Sequence, residues 1–173
     1  MTAIEYLLTL ADWQLFGSLT WSDSQLGSVR KRQSNVDEFL RERCTRVGFC
    51  LSDLPLVIRW ERGEQTERPH CHFLLSGLPE TSLTRNECYT WNALWFRKYG
   101  LARVRLYDPA LRAEVAEYMT PPDPEWVRQS DIHQANRYER HKFDLCDSLT
   151  VNDAAWSRWQ RLTGTSFNVA RCT

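Results

Sequence analysis

Read from the N-terminus, apolar and polar positions alternate between strand-like and helix-like spacing. Residues 12–22, DWQLFGSLTWS, are rich in aromatic and β-favouring side chains between polar turns, which predicts a strand. Residues 34–47 change period. Val36, Leu40, Cys44 and Val47 fall on one face of a helix that Ser34 or Asn35 would cap. Arg41, Arg43 and Arg46 fall off that stripe, as a solvated face or a phosphate patch would. Leu56 to Glu61 and Pro69 to Leu75 read as two strands joined by the polar loop RGEQTER, a hairpin with a slightly long connection. Residues 85–99 look helical, with Cys88, Trp91, Trp95 and Tyr99 near one face. LARVRLY, residues 101–107, alternates as a strand. Asp108-Pro109 opens another helix, which Pro121 and Pro122 stop near Thr120.

The order is β, α, β-β, α, β, α. Hairpins imply antiparallel pairing, so the expected class is α+β: a central antiparallel sheet with flanking helices, not a doubly wound parallel sheet. Residues 1–124 form the expected main domain. Residues 125–173 form a C-terminal extension packed on it, with a polar, basic stretch over 125–145 and one helix over 153–162 carrying Trp156 and Trp159.

Composition adds constraints. The chain has 173 residues, enough for a real core without disulfide staples. The formal net charge is zero, which argues against a non-specific DNA coat protein but leaves room for a local basic patch. Eight tryptophans suit core packing, or base stacking in a single-strand groove. The six cysteines contain no C-x-x-C pair, and MTAIEYLLTLADW lacks the pattern of a secretory signal. Free thiols in a reducing, cytoplasmic compartment are expected, with no membrane partner, because no stretch approaches a spanning length.

The chemistry concentrates in RPHCHFLLSG. In a strand, His70 and His72 point one way while Cys71 and Phe73 point the other. Directly opposed residues of an antiparallel pair share a face. A turn centred near Gln65–Thr66 sets Glu61 opposite His70, and one centred a residue later sets it opposite His72. Either way a carboxylate joins two imidazoles; a register one residue off would hide it. Two His and one carboxylate leave coordination positions open, as in a catalytic site, and the carboxylate favours Mn²⁺ or Mg²⁺ with Zn²⁺ also suited. The plain alternative is two surface histidines near a turn that bind nothing.

These residues resemble a known family. ERGEQTERPHCHFLLSG is similar to the second motif of the HUH endonucleases, the rolling-circle replication initiators and their relatives. There, His-hydrophobe-His lies on a sheet strand and an acidic residue about nine positions earlier completes the metal site. Here Cys71 takes the hydrophobe position. FGSLTW, Phe16 to Trp21, resembles the first motif, F-x-T-L-T-F. The resemblance spans roughly residues 12–122. It implies metal-dependent nicking and joining of single-stranded DNA through a tyrosine, with single-stranded DNA or an origin hairpin as partner and a separate helicase for unwinding.

The third motif admits two alignments. AEYMTPP matches E-Y-x-S-K, which makes Tyr118 the nucleophile and puts Pro121 where the lysine belongs. LYDPALRAEVAEYMT matches Y-V-x-K-Y, which puts Glu114 in the nucleophile's place and Glu117 in the lysine's. The second would make the chain a degenerate nickase that binds DNA without cutting. Tyr118 could also pack in the core, since Leu111, Val115 and Tyr118 share a helical stripe. A third reading is an unrelated hydrolase that uses the His-His-Glu site with water as nucleophile. DNA contacts are expected from Arg30, Lys31 and Arg32 and from Arg97, Lys98, Arg103 and Arg105, each a locally basic cluster.

Overall fold

A computed structural model describes residues 8–9, 11–62, 68–119 and 148–163. Five strands form one antiparallel sheet: β1 Leu15–Thr20, β2 Leu56–Arg62, β3 Pro69–Leu75, β4 Ala102–Leu106 and β5 Ser148–Val151, in the spatial order β4-β1-β3-β2-β5. Among the described residues four α-helices accompany it: α1 Val29–Arg46, α2 Arg85–Lys98, α3 Arg112–Met119 and α4 Asp153–Thr163. The class is α+β, as the hairpin pattern requires. The strand carrying His70 and His72 is the middle one.

Strand alternation divides the core in two. Leu15, Leu19, Ile58, Trp60, Cys71, Phe73 and Val104 face a large cluster with Val36, Phe39 and Leu40 of α1 and Trp91 and Trp95 of α2. Phe16, Val57 and Leu74 point to the opposite face and meet Val115, Ala116 and Met119 of α3 and Ala155 of α4. Both faces of the sheet are therefore covered over part of their area. Gly17 is needed where β1 meets β3, because a Cβ there would sit 2.2 Å from the Phe73 ring. The five tryptophans whose side chains are described, Trp13, Trp21, Trp60, Trp91 and Trp95, are all buried. Core packing thus accounts for them, and base stacking does not.

Several boundaries differ from the sequence expectation, for identifiable reasons. The helix expected at 34–47 begins at Val29, capped by Ser28, whose Oγ accepts from the Lys31 N–H. Its first turn is polar, so periodicity alone starts the helix too late. Arg43, expected off the apolar stripe, is buried with its guanidinium on the Glu42 carboxylate; Arg41 and Arg46 are exposed. The helix expected from Asp108-Pro109 begins as a 3₁₀ turn over Pro109–Leu111 before α3.

β5 was not foreseen. It pairs with β2 in the same sheet, so at least this part of the C-terminal extension belongs to the main domain. Asn152 ties it down: Oδ1 accepts from Leu56 N–H and Ala155 N–H, and Nδ2 donates to Leu54 C=O. The 125–145 stretch and the centre of the hairpin loop lie outside the described residues, as do the side chains of Trp156 and Trp159.

β4 would be an open edge, but α2 covers it. Asn92 Oδ1 accepts from Val104 N–H and its Nδ2 donates to Val104 C=O, replacing a neighbouring strand. Among the described residues no helix is long and apolar enough to cross a membrane. Cys44, Cys71 and Cys88 are buried thiols and Cys50 is an exposed one; Cys146 and Cys172 lie outside the described residues.

Candidate metal centre

The hairpin register sets Glu61 opposite His70 and Arg59 opposite His72. On the other side of β3, β1 sets Thr20 opposite His70 and Ser18 opposite His72. By alternation these residues share the face that carries Phe16 and Leu74, not the face that carries Cys71 and Phe73. The first of the two registers considered from the sequence is the one formed.

Glu61, His70 and His72 converge. One ligand atom from each lies within 4.8 Å of the others, so the group could hold a metal ion. Nε2 of His72 is 2.9 Å from Glu61 Oε1, and Nε2 of His70 contacts the same oxygen. His72 is buried and the other two are half-buried. Both imidazoles present Nε2 to the carboxylate and Nδ1 to an oxygen on the far side. Ser18 Oγ is 2.7 Å from His72 Nδ1, and the Arg68 carbonyl is 3.2 Å from His70 Nδ1. With both Nε2 lone pairs directed at a cation, each Nδ1–H donates to its oxygen. This outer support fixes tautomer and ring orientation in metal-ligating histidines. The donor set therefore fits a divalent cation with coordination positions left open.

The electrostatics of the cation-free cluster follow from the same contacts. Burial works against the charge on Glu61, but hydrogen bonds from His70 and His72 outweigh it and hold the carboxyl well below its usual range. Burial likewise disfavours charged His70, but hydrogen bonding to Glu61 and to the Arg68 carbonyl raises its pKa above the ordinary value. Without a cation, Glu61 and His70 thus each favour the charged form of the other.

Tyr118 lies beside this cluster. Its ring centroid is 5.3 Å from that of His72, with the planes at 49°, and 6.2 Å from Phe16. It is 51% exposed, so the core-packing alternative does not describe it; Val115, Ala116 and Met119 form the buried stripe of α3. Glu114 and Glu117 are exposed, and neither belongs to the metal-competent group.

The basic residues named from the sequence separate by location. Arg103 and Arg105 oppose Ser18 and Phe16, which puts them on the site face. Arg105 holds its guanidinium 5.2 Å from the Phe16 ring centroid, and Phe16 in turn stacks on His72. Arg97 and Lys98 end α2, on the other side of the sheet; Lys98 pairs with Glu38 at 2.6 Å. Arg30 and Lys31 are exposed at the start of α1. Arg32 donates to the carbonyls of Leu26 and Gly27 and lines a small recess with Glu61 and His70. A separate cavity of about 440 Å³ between α1 and β2 is lined by Val36, Leu40, Ile58 and Trp60 on the opposite face.

Two residues of the site escaped the sequence reading. Ser18 lies inside FGSLTW with the parity that puts it beside His72, but strand pairing was needed to see it. Arg59 was visible as the one charge within the otherwise apolar LVIRW. Comparison of the chain with protein-family models, with curated proteins and with solved structures finds no match.

Proposed function

We propose that this protein nicks and rejoins single-stranded DNA in the manner of an HUH endonuclease, with Tyr118 as nucleophile beside the Glu61, His70 and His72 centre. The observation that carries the reading is the half-exposed phenol ring against His72, on the face where three ligand atoms converge. A divalent cation held there would polarise the scissile phosphate and offset the charge that grows on it. Tyr118 would attack the phosphorus through its phenolic oxygen. A 5′-phosphotyrosine bond forms, the bond to the 3′ oxygen breaks, and the proton given up by the phenol balances the one gained by the departing 3′-hydroxyl. The step reverses to rejoin the strand. Arg103 and Arg105, on the same face, would hold neighbouring phosphates.

A second reading is favoured by one feature of the sequence: Pro121 stands where the family's lysine belongs. In that reading the chain binds DNA without cutting. Incubation with labelled single-stranded oligonucleotides and Mn²⁺ separates the two. Nicking leaves a denaturation-resistant protein–DNA adduct that chelation prevents. A binding module shifts the oligonucleotide and forms no adduct with any metal or sequence.

A further inference from the structure

Among the described residues, the aromatic side chains most open to solvent stand on α2, away from the metal centre. Tyr89 is 69% exposed and Phe96 is 62% exposed. Arg85, Tyr89, Asn92 and Phe96 recur at alternating four- and three-residue steps, which makes them one stripe along the helix. Asn92 fixes where that stripe lies, because its side chain bonds both the N–H and the C=O of Val104 on the edge strand β4. Tyr89 and Phe96 therefore run along the edge of the sheet, about 10 Å apart at the helical rise per residue. A different flank of α2 is turned to α1, where Lys98 pairs with Glu38 and Trp91 meets Phe39.

The surface around the two rings is apolar and basic. Leu101 and Leu106, at the two ends of β4, are exposed as well, and Phe96 and Leu101 line one recess. Arg85 and Arg103 are exposed and Arg105 is half-buried. β4 has no carboxylate, and the one carboxylate of α2, Glu87, is turned to Trp91, whose Nε1 donates to it at 3.1 Å. Flat apolar groups thus alternate with arginines. A single nucleic-acid strand matches both, since its bases offer faces to the rings and its phosphates offer charge to the guanidinium groups. A merely acidic chain would satisfy the arginines and leave the rings in water. The place is also right. The spatial order β2-β3-β1-β4 leads from Glu61, His70 and His72 past Ser18 to Arg103, with neighbouring strands about 4.8 Å apart.

We propose that Tyr89 and Phe96 form a base-stacking platform on α2, which takes up a single nucleic-acid strand where it passes Arg103 at the edge of the sheet. The platform rests on the single-stranded substrate proposed above and adds a second holding site, remote from the metal centre, for the part of the strand that does not react. Stacking needs no cation, so the platform acts in metal-free protein. It tolerates any sequence, because every base has a π face. The described tryptophans are buried in the core, which leaves this role to a tyrosine and a phenylalanine.

The test is fluorescence anisotropy of a labelled thymidine oligonucleotide, and of an abasic oligonucleotide of the same length, titrated with the full chain in the presence of a chelator. It compares wild type, Tyr89→Ala, Phe96→Ala, Tyr89→Trp and Phe96→Trp. Both rings are exposed, so thermal melts of the variants should match wild type. Each alanine variant should bind the thymidine strand about tenfold more weakly, and each tryptophan variant should keep the affinity. The abasic strand should bind wild type more weakly than the thymidine strand does, and should bind wild type and the alanine variants alike. Alanine variants that bind the thymidine strand as wild type does overturn the platform and leave the single-strand reading standing. Alanine variants that lose as much affinity for the abasic strand overturn it too, because the loss then comes from something other than stacking. Poly-glutamate that displaces the labelled strand as well as an equal charge of unlabelled thymidine strand would assign the surface to an acidic polypeptide and overturn the platform. Wild type that binds neither strand overturns the single-strand reading itself.

Discussion

The rings of Tyr118 and His72 meet at 5.3 Å between centroids, joining the short helix α3 to the central strand of the sheet. That contact brings a half-exposed phenol to a cluster whose three ligand atoms already face one another. Of the two residues that the third-motif alignments put in the nucleophile's place, Tyr118 lies against His72, whereas Glu114 is exposed and outside the metal-competent group. The buried stripe of α3 is Val115, Ala116 and Met119, which turns Tyr118 outward beside the centre. Tyr118→Phe should keep this packing, since it removes only an oxygen. Gel-shift affinity for single-stranded DNA should stay within about twofold, because phosphate contacts dominate it. Adduct formation should vanish.

Ser18 supports His72 from behind, with Oγ 2.7 Å from Nδ1. Loss of such an outer partner typically lowers metal affinity by about 10–100-fold. Ser18→Ala should weaken Mn²⁺ binding within that range, and Ser18→Thr should restore most of it. Titration calorimetry reads both. Unchanged affinity in Ser18→Ala would mean that His72 is not a ligand.

The pH dependence has a definite sign. Glu61 has a pKa depressed from 4.5, so its contribution to stability is present above that value and is lost as pH falls through the folded value. His70 has a pKa raised from 6.5, so its contribution is complete below 6.5 and is lost as pH rises through the folded value. Both are present together between pH 4.5 and 6.5. The destabilisation of the metal-free protein by His70→Ala should therefore be largest in that window and shrink at alkaline pH. Metal binding runs the other way, because a ligating imidazole must be neutral. Mn²⁺ affinity should rise from about pH 5.5 to about pH 8, as thermal melts and titrations at both values would read.

Asn152 anchors the C-terminal strand and helix beside β2 through two side-chain hydrogen bonds, with Leu56 N–H and Leu54 C=O, and caps α4 by accepting from Ala155 N–H. Asn152→Ala should destabilise the fold by about 1–2 kcal/mol, the usual cost of a lost cap, as measured by urea denaturation. Metal affinity should hold, since the centre lies on β2 and β3.

The hairpin was legible because its information is local. Period-2 alternation fixes which way His70 and His72 point, and of the registers open to the loop only one slipped by a single residue turns Glu61 to the other face; the pairing formed sets it opposite His70. β5 was not legible, because a four-residue strand after a long polar stretch carries too little periodicity, and its pairing with β2 joins residues far apart in sequence. The start of α1 was missed for a similar reason, since its polar first turn is set by the Ser28 cap and not by an apolar stripe. Ser18 and Arg59 belong to the site only through strand order, because β1 and β2 flank β3. Arg97 and Lys98 illustrate the converse: a basic pair in sequence becomes, in three dimensions, a helix end on the far side of the sheet with Lys98 paired to Glu38.

The most direct measurement is mass-spectrometric mapping of any covalent product formed with single-stranded oligonucleotides and Mn²⁺. The account predicts one modified peptide carrying a nucleotide phosphate on Tyr118, absent after chelation and absent in Tyr118→Phe. Attachment to a different residue, or strand cleavage by water with no attached nucleotide, would contradict it.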